Sequence, residues 1–202
     1  MVTNSLFKLA KIILKLQKSW CSNINLVSPT HFIPQILNSI HIAMKKGLIL
    51  PLVYNTGGYE TKKTIELLDG IVDIYLPDAK YGTDRSGEKY SKASEYWSNL
   101  QIVLPAMHNQ VGNLKINEKG EAKKGLLVRH FVLPNGVASS KKIIEFIEKE
   151  ISKGTYVNIM DQYRPCYKAD SYPEINRGIT NQEYNELSKM AEESGIISSF
   201  NH

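Results

Sequence analysis

The chain has 202 residues, 42% of them apolar and 22% charged, a globular composition that excludes disorder, collagen-like repeats and coiled coil. Its length fits one domain, 1–202, by the rule of about 150 residues per domain. The formal net charge of +5 is unevenly placed: residues 1–59 carry six lysines and no Asp or Glu, while the other 143 residues carry 19 bases against 20 acids.

The surplus charge therefore reads as one lysine-faced helix, and without a basic stripe no nucleic-acid partner is expected. The longest uncharged apolar run, Leu48 to Tyr54, is far short of the roughly 18 residues of a membrane span, so no membrane partner is expected. Lys8, Lys11 and Lys15 interrupt any secretory apolar core, and a transit peptide is usually rich in Arg and Ser. Cys21 and Cys166 are too few for a disulfide framework and lack zinc spacing. They suit a reducing cytoplasm.

In chain order, Leu6, Phe7, Ala10, Ile13 and Leu14 recur at helical spacing opposite the lysines, predicting an amphipathic helix over 5–18. A strand at 23–27 stops at Ser28-Pro29, and a helix from about His31 to Lys46 closes at Gly47. Leu50–Tyr54 is continuously apolar, as in a strand buried in a parallel sheet. The rhythm repeats with a helix at 61–69, a strand at 71–76, and helical stretches around 88–91 and 96–109 with a bend at Pro105. A hairpin arm, 114–117 and 125–133, leads to a helix at 139–151, a strand at 155–160, a loop at 161–178 and a closing helix at 181–194.

Strands separated by helices imply right-handed crossovers and a parallel sheet with outer helices, an α/β fold either doubly wound or barrel-like. No GxGxxG, GxxxxGK[ST] or G-x-S-x-G motif is present. The polar stretches Ser28–His31, Asn55–Gly58, Pro77–Lys80, Arg129-His130 and Asp161–Arg164 all fall at the C-terminal ends of expected strands. Barrel active sites are built there. Taken singly, each of these is an ordinary cap or turn. Asp78 and Lys80, two apart at a strand end, and Arg129, a charge inside an apolar strand, ask for a partner or a ligand. His31 and His130 are rim candidates; His41, His108 and His202 read as helix or terminal residues. Glu145, Glu148 and Glu150 read as a solvated helix face.

The stretches at 23–31, 52–59, 73–81, 126–130 and 158–165, in this order, resemble the radical SAM proteins related to pyruvate formate-lyase activating enzyme. The resemblance implies a partial (β/α) barrel that binds a 4Fe–4S cluster and S-adenosylmethionine (SAM). In that family three cysteines of a C-x3-C-x2-C loop hold the cluster, and its fourth iron chelates the methionyl end of SAM. Reductive cleavage then gives a 5′-deoxyadenosyl radical, and a glycyl-radical enzyme or another protein is the partner. By the same resemblance Asn55, Thr56 and Asp78 fall where relatives handle the methionyl end of the cofactor or a nearby cation, with Lys80 and Arg129 beside it. Thr30 and His31 fall where relatives carry a Gly-Gly-Glu motif, and Asp161 closes the set at the last rim stretch.

The C-x3-C-x2-C loop is absent from these 202 residues, and two cysteines so far apart cannot replace it. Both read as ordinary thiols, so no cluster on this chain is expected. The chain reads as truncated at its N-terminus and inactive alone, with a first βα unit missing. A non-catalytic module binding SAM or a protein is the competing reading. A cluster-free hydrolase or lyase using Asp78, Lys80 and His130 lacks a visible nucleophile–base pair.

Overall fold

A computed structural model describes residues 2–199. Helix α1 (Val2–Lys18) leads to strand β1 (Ile24–Val27), and a short 3-10 turn at 30–32 opens α2 (Ile33–Met44). Then come β2 (Leu52–Thr56), α3 (Lys62–Leu67), β3 (Ile74–Pro77), α4 (Asp84–Ser91) and α5 (Tyr96–Val111). The second half holds β4 (Lys115–Ile116), β5 (Ala122–Phe131), α6 (Ser140–Phe146), β6 (Tyr156–Met160), α7 (Asn181–Glu193) and β7 (Ile197–Ser199).

Six strands lie side by side in chain order, β1-β2-β3-β5-β6-β7, every neighbouring pair parallel, and β4 adds antiparallel to β5. A doubly wound sheet reverses its strand order at a switch point, where the chain starts adding strands to the other edge. No such reversal occurs here. The sheet winds one way only, as in a (β/α) barrel, and no pairing joins β1 to β7. The expected partial barrel is what forms.

Local signals explain most element limits. The Thr61 side chain caps α3 by accepting from the Thr64 amide, and Thr180 with Glu183 forms a capping box on α7. The strand expected from Ile71 starts instead at Ile74, because the Ile71 and Val72 amides donate back to the Leu68 carbonyl and hold 71–72 to the preceding turn. The helix expected over 139–151 is α-helical to Phe146 and finishes as a π turn at 147–151. Strand β7 was not anticipated. Helix α5 runs through Pro105 rather than ending there.

Register fixes the two faces of the sheet. Tyr54, Tyr75 and Leu126 stand side by side on the outer face, as do Val128 and Val157 on β5 and β6. They pack with Leu100 and Leu104 of α5 and Ile143 and Ile144 of α6 in the main core. A second cluster joins Ala10 and Ile13 of α1 to Ile40, Ala43, Ile24 and Leu52. This is what the apolar stripe of α1 is for. At the β1 edge the inner face is exposed among the described residues: Asn25 and Val27 project there, and Val27 is 67% exposed. No helix among the described residues is long and apolar enough to cross a membrane.

Candidate functional site

Alternation along a strand sends neighbours to opposite faces. Asn55 of β2, Asp78 just past β3 and Arg129 of β5 share the inner face, since Asn55 is in register with Leu76 and Asp78 bridges to Arg129. Their side chains meet. Arg129 Nη2 donates to Asn55 Oδ1 at 2.9 Å and lies 2.7 Å from Asp78 Oδ1, while Lys80 Nζ is 2.5 Å from Asp78 Oδ2. One carboxylate thus faces two cations, leaving a positive surplus beneath the rim.

The cluster is mostly buried and not fully satisfied. Asp78 Oδ1 is held in the ion pair with Arg129 Nη2, and Arg129 Nε is buried without a hydrogen-bond partner. A buried donor left unpaired costs about 1–3 kcal/mol.

The framework beneath is tight. Tyr96 of α5 accepts the Lys80 amide at 3.0 Å and donates to the Asp78 carbonyl at 2.8 Å, with the Gly57 carbonyl 3.0 Å away. Burial holds its phenol well above the usual range, so it stays protonated. Gly58 sits at φ +79°, and a Cβ there would come within 2.1 Å of the Asp78 carbonyl oxygen. Only glycine lets the β2 and β3 loops approach this closely.

Thr56, next to Asn55, belongs to a separate network. Its hydroxyl donates to Glu60 Oε1 at 2.5 Å, and Thr30 donates to the same oxygen at 2.6 Å, with Tyr54 Oη 3.4 Å from Thr30. Glu60 is 3% exposed and its Oε2 has no partner. Glu60 and Tyr96 were missed at the sequence level. The only signal for Glu60 is that it is the first acid after 59 acid-free residues; for Tyr96, inside a helix, there was none.

The rim does not gather every candidate. His31 and Asp161 are exposed and, among the described residues, make no hydrogen bond or ion pair with the cluster. His130 corrects the expectation of a rim histidine: it is fully buried on the outer face, Nδ1 donating to the Ala79 carbonyl at 2.5 Å and Nε2 accepting from Ser140 Oγ at 2.8 Å. The carbonyl can only accept, which fixes the tautomer. Burial pushes its pKa down to about 4. His130 is thus a neutral tie between the β3 end and α6, and a cluster-free reaction using it loses its base. His202 lies outside the described residues.

The two cysteines stand at opposite ends of the strands, Cys21 ahead of β1 and Cys166 in the loop after β6. Among the described residues no three His, Cys, Asp or Glu side chains form a metal-holding group. The donors present do not fit an iron–sulfur cluster.

No family model matches the chain. An uncharacterized protein of Methanocaldococcus jannaschii is 33% identical over 192 residues, covering 94% of this chain and 51% of that protein. The chain thus spans about half the length of the curated relative it matches. A crystal structure of a domain of pyruvate-formate lyase-activating enzyme from Bacteroides vulgatus superposes with a TM-score of 0.62 at 11% identity, over 90% of this chain and all of that domain. A radical SAM methyltransferase from Sphaerobacter thermophilus gives 0.63 at 13% identity, over 96% of this chain and 56% of the other. With six parallel strands wound in one direction and these structural neighbours, the chain has the fold of radical SAM domains.

Proposed function

We propose that this chain is the SAM-binding part of a radical SAM protein of the glycyl-radical activating type. Its own residues hold the methionyl end of SAM, and the cluster ligands are supplied from outside these 202 residues. The observation that carries the reading is the meeting of Asn55, Asp78, Lys80 and Arg129 at the inner rim, where one carboxylate lies between two cations. An amino-acid zwitterion matches that charge pattern. Its carboxylate would lie against the Lys80 and Arg129 cations, and its ammonium against Asp78. Asn55 orients Arg129, and Tyr96 and Gly58 hold the two loops in contact.

When bound, SAM supplies a sulfonium whose reductive cleavage needs an electron from an iron–sulfur cluster. Cys21 and Cys166, at opposite ends of the strands, cannot hold that cluster together. The exposed inner face at Asn25 and Val27 is where a further strand or partner segment would cover the sheet. The glycyl-radical partner and a cytoplasmic setting belong to the same proposal.

Calorimetric titration of the chain with SAM tests it. Saturable binding is expected, with Asp78→Asn and Arg129→Ala each weakening it about tenfold or more, as loss of a charged hydrogen-bond partner does. Absence of binding by the folded chain overturns the proposal. Anaerobic reconstitution tests the second half: about four irons and four sulfides per chain, the content of a 4Fe–4S cluster, would show that this chain holds a cluster after all.

A further inference from the structure

Beside the rim runs a trough formed by two adjoining cavities of about 340 and 370 Å³, which share Tyr81, Leu133, Tyr163, Arg164 and Cys166 as walls. Both volumes fall in the range of small-molecule sites, about 300–1,000 Å³. One end reaches Lys80; the other lies between α4 and the loop after β6.

Two independent features single it out. The first is charge. Lys80, Lys89, Lys92, Arg164 and Lys168 line the trough, and no Asp or Glu does, although the chain carries 20 acids to 25 bases. Lys80 pairs with Asp78 and Lys89 with Glu174. Lys92, Arg164 and Lys168 form no ion pair among the described residues. This concentration escapes the charge count of the chain, because it is assembled from α4 and from a loop more than seventy residues later.

The second feature is aromatic. Tyr81, Tyr90, Tyr163, Tyr167, Tyr172 and Phe131 also line it. The rings are fixed: Tyr90 meets Tyr172 edge-on at 5.4 Å, the Tyr90 hydroxyl donates to Glu174, and the Tyr163 hydroxyl donates to the Ile175 carbonyl. Walls already locked in place lose little entropy when a planar group slides between them. Tyr167, 90% exposed, stands at the mouth with Lys168 Nζ 5.4 Å from its ring centre.

We propose that this trough binds a small anionic ring compound. The planar ring lies against Tyr81, Tyr163 and Phe131, and its carboxylate or phosphate is held by Arg164, Lys168 and Lys92. Arg164 presents the planar fork that pairs bidentately with either anion. The shared chemistry is a ring plus an anion; an aryl carboxylate and a nucleoside monophosphate are its two sources. The inference does not rest on the SAM reading, and its test contains neither iron nor SAM.

The experiment is isothermal titration of the full 202-residue chain with 4-hydroxybenzoate and with adenosine monophosphate, alongside their neutral counterparts phenol and adenosine. Saturable binding is expected for one anion or both, with a Kd below about 1 mM, and whichever binds identifies the source. The neutral counterpart should bind at least about tenfold more weakly, as should the anion to the double variant Arg164→Ala, Lys168→Ala, a difference of about 1.4 kcal/mol. Both side chains are exposed, so the variant should keep the wild-type circular dichroism and melting temperature. Failure of both anions to saturate, a neutral ring that binds equally well, or a folded double variant that binds like wild type overturns the proposal.

Discussion

The two faces of the sheet differ at the C-terminal ends of their strands, although they share every strand. Arg129 and His130 show the contrast in two consecutive positions. Arg129 turns inward, where it meets Asp78 and Asn55 and keeps one nitrogen unsatisfied. His130 turns outward beneath the helices, where both ring nitrogens are bonded and the side chain is fully buried. The outer face is closed by helices; the inner face is apolar and buried at Val53, Ile74 and Met160, charged at Asp78 and Arg129, and exposed at Asn25 and Val27 of the β1 edge.

Perturbing the outer face should cost stability, and perturbing the inner face should cost binding. The largest effect is expected from Leu126→Ala, since Leu126 is fully buried in the main core. Urea unfolding should show a loss of about 2–5 kcal/mol, the usual cost of a buried Leu-to-Ala cavity. A loss below 1 kcal/mol would mean that the outer face is not close-packed.

His130 comes next. Its folded pKa of about 4 lies below the ordinary 6.5, so the native state favours the neutral ring and the unfolded state takes up the proton first. The stability this gives is complete above pH 6.5 and is lost as pH falls through the window down to about 4. A shift of this size corresponds to roughly 3 kcal/mol. His130→Asn keeps a donor for the Ala79 carbonyl and should flatten this part of the stability–pH curve. An unchanged slope in the variant would assign the loss to other groups.

The smallest effects are expected at His31 and Asp161, which the resemblance puts in the site and the structure leaves exposed. His31→Ala and Asp161→Ala should each alter stability by no more than about 0.5 kcal/mol, as exposed substitutions do. SAM affinity, measured by the same titration as for Asp78→Asn, should stay within about twofold, under 0.5 kcal/mol. A tenfold loss in either variant would bring that residue back into the binding set.

Much of the fold was legible because its signals are local. The apolar runs at 52–54 and 126–128, the helical stripe of α1 and the order of strands and helices follow from periodicity within a few residues. Element limits were less legible where a turn hydrogen bond competes with a strand, as at Val72, and β7 has only three residues to announce it. The site was legible in part. Asn55, Asp78, Lys80 and Arg129 were named from strand-end position and resemblance, and they meet. Thr56 was named with them, yet together with Thr30 it serves Glu60, on a network of its own.

The sequence alone determined the α/β alternation, the excess of lysine in the first helix and the presence of only two cysteines, because composition and short-range pattern suffice for each. Tertiary structure decided which polar strand ends share a pocket. Asn55 and Arg129 are 74 positions apart, and only strand order and register bring them together. A one-residue change of register would turn Arg129 into the core and His130 toward the inner face. That alternation along β5 separates the buried histidine that ties the end of β3 to α6 from the arginine that joins Asn55 and Asp78 on the inner face.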